Sequence, residues 1–185
     1  MCIRDSVYVN IALRNWRAWV NRGIHYVNNP AGFYSHLKLD YPVSLGRYRC
    51  PSQPDEPMVL HLIHVPWPTG PVKDLRSAWR AGRALVYARR FEEFESHARD
   101  ELGRILGPGG FEADRDIAAI TVNRWGHGYA YDMDTLYDDS EKSEREEKAS
   151  VAPLGRIHFS GTDAAWAAYA HKAIDAAQRA TAEIR

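Results

Sequence analysis

Apolar residues recur along this chain at two spacings, and each predicts a different kind of element. Val7 to Leu13 (VYVNIAL) is rich in β-formers and predicts a strand. Phe33 to Leu39 alternates apolar and polar positions, a second strand. Met58 to Val65 is nearly continuous in apolar residues apart from His61 and His64, and Pro66 and Pro68 stop it. Asp116 to Val122 is a further β-rich run. The helical spacing is clearest in Arg89 to Leu106, where Phe91, Phe94, Ala98, Leu102 and Ile105 recur with charges between them. Pro71 to Leu85 shows weaker helical character, and a short helix is expected from Asn15 or Trp16 to near Gly23. Val27 to Gly32 and Pro42 to Pro57 carry loop chemistry. Asp138 to Lys148, dense in both charge signs, reads as a mobile, solvated loop. The pattern closes with Arg156 to Ser160 as a short strand, a turn at Gly161, and Thr162 or Asp163 as cap for a helix. Alanine propensity alone would start that helix at Ala164 and run it unbroken to the C-terminus.

These elements predict a mixed α/β fold. With 185 residues the chain can bury a sizeable core, and its formal net charge of zero includes no basic block, so nucleic acid is not an expected partner. The two cysteines, Cys2 and Cys50, make no CxxC, which leaves neither a disulfide framework nor a cysteine zinc site. No apolar stretch approaches the ~20 residues that span a bilayer. The hydrophobic share of 45% and charged share of 26% are ordinary for a soluble globular protein; a bacterial-type protein of the cytoplasm or periplasm is expected, with the compartment open. No repeat appears at the usual periods.

Candidate chemistry gathers in two places. A strand that delivers a glycine and a carboxylate to the start of a small-residue helix offers free N–H groups and the positive end of a helix dipole to an electron-rich ligand. The same pattern describes a buried strand–helix unit with an ordinary cap. Trp125 to Tyr131 combines aromatics, His127 and flexible glycines. It suits either an aromatic cage around a cationic nitrogen or plain packing at a strand exit. Elsewhere the patterns exclude more than they suggest. His61 and His64, three apart in a strand, face opposite ways and do not share a metal. The Gly107-Pro108-Gly109-Gly110 cluster follows a helix, so it is no dinucleotide fingerprint, and no GxSxG surrounds Ser160. Arg124 is expected to make a structural ion pair in preference to a ligand contact.

Beyond these patterns, the run from Gly155 to Arg185 resembles the C-terminal flavin-binding segment of FAD-dependent amine oxidoreductases. Ser160-Gly161-Thr162-Asp163 stands where that family has a small residue, a glycine and an acid, although here Thr162 separates Gly161 from Asp163. ITVNRWGHGYAYDMDTLYD (Ile120 to Asp138), VYVNIALRNWRAW (Val7 to Trp19) and DEPMVLHLIHVP (Asp55 to Pro66) are similar to the spermidine dehydrogenase-like branch.

The resemblance implies the C-terminal part of a larger flavoenzyme: a mixed substrate-domain sheet with helices over 7–150, then the final strand and helix of an FAD-binding domain over 151–185. The dinucleotide-binding N-terminal part would lie outside this chain. MCIRDS (1–6) resembles a translated adapter leader. It implies FAD as cofactor of the complete protein, held through Gly161, Thr162, Asp163, Tyr169 and Ala170. The substrate would be a small amine, with a polyamine the form this branch implies, enclosed by Trp125, His127 and Tyr129. It also implies that the last helix starts again near Tyr169, after a bent Ala164 to Ala168 segment. Two other readings stay open: a non-catalytic α/β binding or interaction domain, and a related flavoenzyme with a non-amine substrate.

Overall fold

The computed structural model describes residues 6–126 and 128–184. These fall into two compact units, one ending at Gly126 and the other following it. The division therefore comes earlier than the boundary after Ser150 that the resemblance implies.

The first unit is a five-stranded antiparallel sheet in the order β2-β3-β4-β1-β5. Its strands are β1 (Ser6–Leu13), β2 (Tyr26–Asn28), β3 (His36–Leu39), β4 (Met58–His64) and β5 (Ile117–Trp125). Ser6, grouped with the leader in the sequence reading, is the first residue of β1 and is buried. The predicted strand at Phe33 begins only at His36, because Phe33 and Tyr34 give their amides to a helix side chain instead of a ladder. Tyr26 to Asn28, at the edge of the expected loop, forms the short strand β2.

Alternation builds the core. Val7, Val9, Ile11 and Leu13 of β1 and Leu60 and Leu62 of β4 point to one face and are buried. Onto that face packs α3 (Phe91–Leu106), through Phe94, Ala98, Leu102 and Leu106 at four-residue steps. Each such side chain contributes about 1.5–3 kcal/mol by leaving water. Around it lie α1 (Arg17–Arg22), α2 (Leu75–Ala88) and the single turn α4 (Ala113–Asp116). Asp74 caps α2 by accepting from Ser77 N–H at 2.6 Å. A 3₁₀ turn, Gly107–Gly109, ends α3 and meets α1 so closely that a Cβ on Gly109 would lie 2.5 Å from the Ala18 carbonyl oxygen.

Two buried carboxylates hold this unit's connections. Glu101 of α3, 2% exposed, accepts from Phe33 N–H (2.6 Å) and Tyr34 N–H (3.2 Å). Asp116, equally buried, accepts from the Asn15 amide (3.0 Å), Glu112 N–H (2.9 Å) and the Arg115 guanidinium (2.8 Å). Arg115 foremost draws its pKa down to about 2.

The second unit contains α5 (Ser140–Ser150) and α6 (Ala170–Glu183). The charge-dense run expected as a loop is thus a helix. Asp139 caps it, accepting from Lys142 N–H at 2.8 Å, and pairs Glu141–Arg145, Lys142–Glu146 and Glu144–Lys148 lie four residues apart. Such pairs stabilise a helix that has almost no apolar stripe. Among the described residues, no helix is long and apolar enough to cross a membrane.

Candidate functional site

The C-terminal run departs from its predicted strand at once. Leu154 to Ile157 is a tight turn in which Leu154 and Ile157 exchange backbone bonds at 2.9 and 3.0 Å, with Gly155 at φ 61°. His158 to Ser160 then runs without a ladder partner among the described residues. The Phe159 carbonyl accepts instead from the Arg179 guanidinium, which also reaches the Val151 carbonyl at 3.2 Å and Glu183 at 2.6 Å. Arg179 thus fixes this run against α6 through side-chain bonds where a sheet would use backbone ones.

Gly161 follows at φ 111°, a conformation that side-chain-bearing residues rarely adopt, with open space where a Cβ would be. Thr162 to Ala165 makes one turn. Ala167 N–H bonds the Thr162 carbonyl (3.3 Å) and Trp166 N–H the Asp163 carbonyl (3.4 Å). These are the two bonds of a Schellman ending, with Trp166 in the left-handed position that glycine usually fills, at φ 45°. Edge-on contact with Tyr131, 4.7 Å between ring centroids, accompanies that backbone. The left-handed backbone at Trp166 interrupts the single helix that alanine propensity alone would carry through this stretch.

α6 begins at Ala170, where the resemblance sets it, and no side chain caps it. Neither Thr162 nor Asp163 is therefore its cap. Tyr169 N–H is taken by the Ala167 carbonyl at 2.9 Å. The amides of Ala170 and His171 have no partner among the described residues, as the first amides of a helix lack one by geometry. Asp163 is exposed and its carboxylate bonds nothing among the described residues. Gly161, Asp163 and Ala170 so present an open turn, an unengaged carboxylate and a free helix-end amide within one short segment. Ala164, Ala165, Ala167 and Ala168 add only small side chains to that segment, in which Trp166 and Tyr169 are the large ones.

The other candidates divide between the units. Trp125 is the last residue of β5 in the first unit, 53% exposed, while Tyr129 is 45% exposed in the second. His127 lies outside the described residues. Arg124 donates to the Arg89 carbonyl at 2.9 Å and lies over the Phe94 ring, a structural role.

The two β4 histidines face opposite ways. His64 lies on the core face: its Nδ1–H donates to the Phe33 carbonyl at 2.6 Å and its ring stacks on Phe33 at 3.9 Å. Burial is the main cause that lowers its pKa to about 4. His61, on the other face, lies 2.6 Å from Asn10 Oδ1 and 3.1 Å from Asp40 Oδ1. Strand register also aligns Tyr26, Lys38, His61, Asn10 and Thr121 across that face. Nothing in local spacing pointed to this polar row, because pairing strands distant in sequence creates it. Among the described residues, no three His, Cys, Asp or Glu side chains could hold a metal.

Residues 75–185 match the family described as flavin containing amine oxidoreductase. No match is found among curated proteins. Among solved structures, the chain is similar to cyclohexylamine oxidase from Brevibacterium oxydans IH-35A, with 18% identity and a TM-score of 0.51 over 98% of this chain and 35% of that one. It is also similar to wild-type putrescine oxidase bound to putrescine, with 17% identity and a TM-score of 0.50 over 97% of this chain and 34% of that one. The chain spans about a third of the length of these structures.

Proposed function

Because the chain belongs to the flavin containing amine oxidoreductase family, we propose that the complete protein containing it oxidises a small amine, and that the segment from Gly161 to Ala170 is this chain's share of the cofactor site. The cofactor of the complete protein is FAD. When bound, the flavin accepts a hydride equivalent from the carbon next to the amine nitrogen.

The residues present fit such a group. Gly161 brings backbone near a ligand with no Cβ in the way. The Ala170 amide, at the positive end of α6, donates to an electron-rich oxygen or ring nitrogen. The Asp163 carboxylate accepts from a ribityl hydroxyl, and Thr162 adds a hydroxyl beside it. Of the two amides that the resemblance implies, the unengaged Ala170 N–H supports the reading, while Tyr169 N–H is bonded to the Ala167 carbonyl. Trp125, His127 and Tyr129 are assigned to the amine: aromatic faces attract an ammonium group and keep water from it. A polyamine, as in the spermidine dehydrogenase-like branch, is the substrate class we favour.

The unengaged Asp163 carboxylate and the free Ala170 amide within one short segment after Gly161 carry the reading. In the complete protein, Asp163→Ala should lower FAD affinity by about 1.5–3 kcal/mol, the worth of a hydrogen bond to a charged group. His171→Ala should change it little. Equal FAD occupancy in Asp163→Ala and wild type would remove Asp163 from the cofactor site. Failure of the complete protein to bind FAD or oxidise any of a panel of mono-, di- and polyamines would reject the function.

A further inference from the structure

One residue after Gly161 takes a conformation that its type seldom adopts. Among the described residues, Trp166 is the one non-glycine residue with a positive φ, at 45°. In this region the Cβ of a bulky residue crowds the following carbonyl, which is why glycine usually fills such an ending. The neighbours add to the opposition. Ala164, Ala165, Ala167, Ala168 and Ala170 all favour helix, so local propensity works against the break from both sides.

The break decides which amides are free. In a helix running on from Ala164, the Ala170 N–H would donate to the Trp166 carbonyl and the His171 N–H to the Ala167 carbonyl, one turn back. Instead the chain reverses at Trp166, the Ala167 carbonyl takes Tyr169 N–H at 2.9 Å, and α6 starts only at Ala170. The carbonyls that would engage Ala170 and His171 are thereby turned away from them.

What sustains the break lies in the run before α5. The Tyr131 ring meets Trp166 edge-on, 4.7 Å between centroids at 78°, a favourable aromatic geometry. Tyr131 is itself anchored. Its hydroxyl donates to the Asp138 carboxylate, which also accepts from Asp134 N–H at 2.9 Å, while Asp138 N–H donates to the Asp134 carbonyl at 2.8 Å. A turn closed by both bonds thus fixes the carboxylate, the Tyr131 ring and, through that ring, Trp166.

We propose that Trp166, held by Tyr131, is a positioning residue: it keeps the first amides of α6 out of a continuous helix and so available to the cofactor. The inference rests on the reading of Gly161 to Ala170 as the cofactor segment. The indole acts through the backbone, holding a shape that glycine would hold unaided.

The test uses the complete protein freed of FAD. Amide hydrogen exchange at Ala170 and His171 reads the backbone, and titration with FAD, followed by flavin fluorescence, reads affinity. Trp166→Ala places the best helix former at the break and removes the ring. Both amides should then exchange at least about tenfold more slowly than in wild type, and FAD should bind at least about tenfold more weakly. Trp166→Gly keeps the left-handed turn without the ring. It should leave both amides in fast exchange and bind FAD at least about fivefold more tightly than Trp166→Ala. Tyr131→Leu should weaken FAD binding about fivefold in the wild-type background and less than about twofold in Trp166→Gly, where the turn no longer needs the contact. A side chain needed only to fill space would give the opposite order, with glycine worse than alanine. The proposal is overturned if Trp166→Gly binds FAD no better than Trp166→Ala, or if both amides exchange as fast in Trp166→Ala as in wild type. Should Trp166→Ala fail to fold, the Tyr131→Leu pair decides alone, and equal losses in both backgrounds overturn the proposal. Wild type that binds no FAD would reject the cofactor reading and the inference with it, whereas tight binding by wild type and equal binding by the two Trp166 variants would reject the inference alone.

Discussion

Replacing Glu101 tests the helix-to-loop connection of the first unit most directly. Its carboxylate is 2% exposed and accepts two backbone amides, Phe33 at 2.6 Å and Tyr34 at 3.2 Å. Hydrogen bonds to a charged group are worth about 1.5–3 kcal/mol each, and a buried donor left without a partner costs about 1–3 kcal/mol. Glu101→Ala removes both acceptors and leaves a cavity, so a loss of about 4 kcal/mol is expected. Glu101→Gln keeps one carbonyl oxygen but turns an NH₂ towards the other amide, and should cost about 2 kcal/mol. Glu92→Gln, on the exposed side of α3, should cost less than about 0.5 kcal/mol. Amide hydrogen exchange is the suitable assay, because it reads Phe33 and Tyr34 individually and does not require the two units to unfold together. Both amides should exchange faster in Glu101→Gln than in wild type by about the factor that 2 kcal/mol implies, roughly thirtyfold. Unchanged protection at Phe33 and Tyr34, with urea midpoints matching wild type, would show that the carboxylate does not hold this loop.

His64 makes stability depend on pH. Its folded pKa of about 4 lies below the ordinary 6.5, so the unfolded chain binds more protons between these values. Stability is full above pH 6.5 and falls by about 3 kcal/mol as pH drops to 4; urea titrations of His64→Gln should lack that component. Asp116, with a folded pKa of about 2, contributes about 2 kcal/mol that is present above pH 4 and lost as pH falls through 2. Asp116→Asn should lower the urea midpoint at pH 7, and a midpoint equal to wild type would count against the clasp. Two glycines should respond with opposite sign in thermal melts. Gly103→Ala, inside α3 with nothing within 4 Å of the new Cβ, should stabilise by about 0.5–1 kcal/mol. Gly109→Ala, facing the Ala18 carbonyl at 2.5 Å, should destabilise by about 1–3 kcal/mol.

What local sequence made legible was the set of elements that bury one face. The β-forming, apolar runs of β1 and β4 and the four-residue steps of α3 are strong because the core enforces them. The misreadings have separate causes. α5 lacks an apolar stripe, so its charges suggested a loop; the spacing of Glu141, Glu144, Arg145 and Lys148 carried the helix instead. Arg156 to Ser160 has strand-like alternation, but a ladder needs a neighbour, and Arg179 takes the Phe159 carbonyl. Propensity favoured a helix across Ala164 to Ala168; the left-handed turn at Trp166 interrupts it, as the resemblance implied. The clasping roles of Glu101 and Asp116 had no local signal, because their partners Phe33 and Asn15 stand 68 and 101 residues away. In the candidate segment, the turn at Gly161 was legible from the sequence, whereas the cap expected at Thr162 or Asp163 is not formed. That Ala170 and not Tyr169 offers the free amide follows only from the backbone.

The strand order bears on how the chain folds during synthesis. β1 leaves the ribosome before the other strands, yet it lies between β4 and β5, and its Tyr8 carbonyl meets the Asn123 side chain 115 residues later. Hairpin partners β2 and β3 can pair while they emerge, but β1 must keep its row of valines and isoleucine unpaired until β4 arrives, and its other edge open until β5 does. Contacts this distant slow folding, because loop closure must precede the burial that repays it. The nascent chain therefore carries β1 unpaired until β4 emerges and with one edge open until β5 does, and a chaperone that shields Val7 to Leu13 would act during that interval.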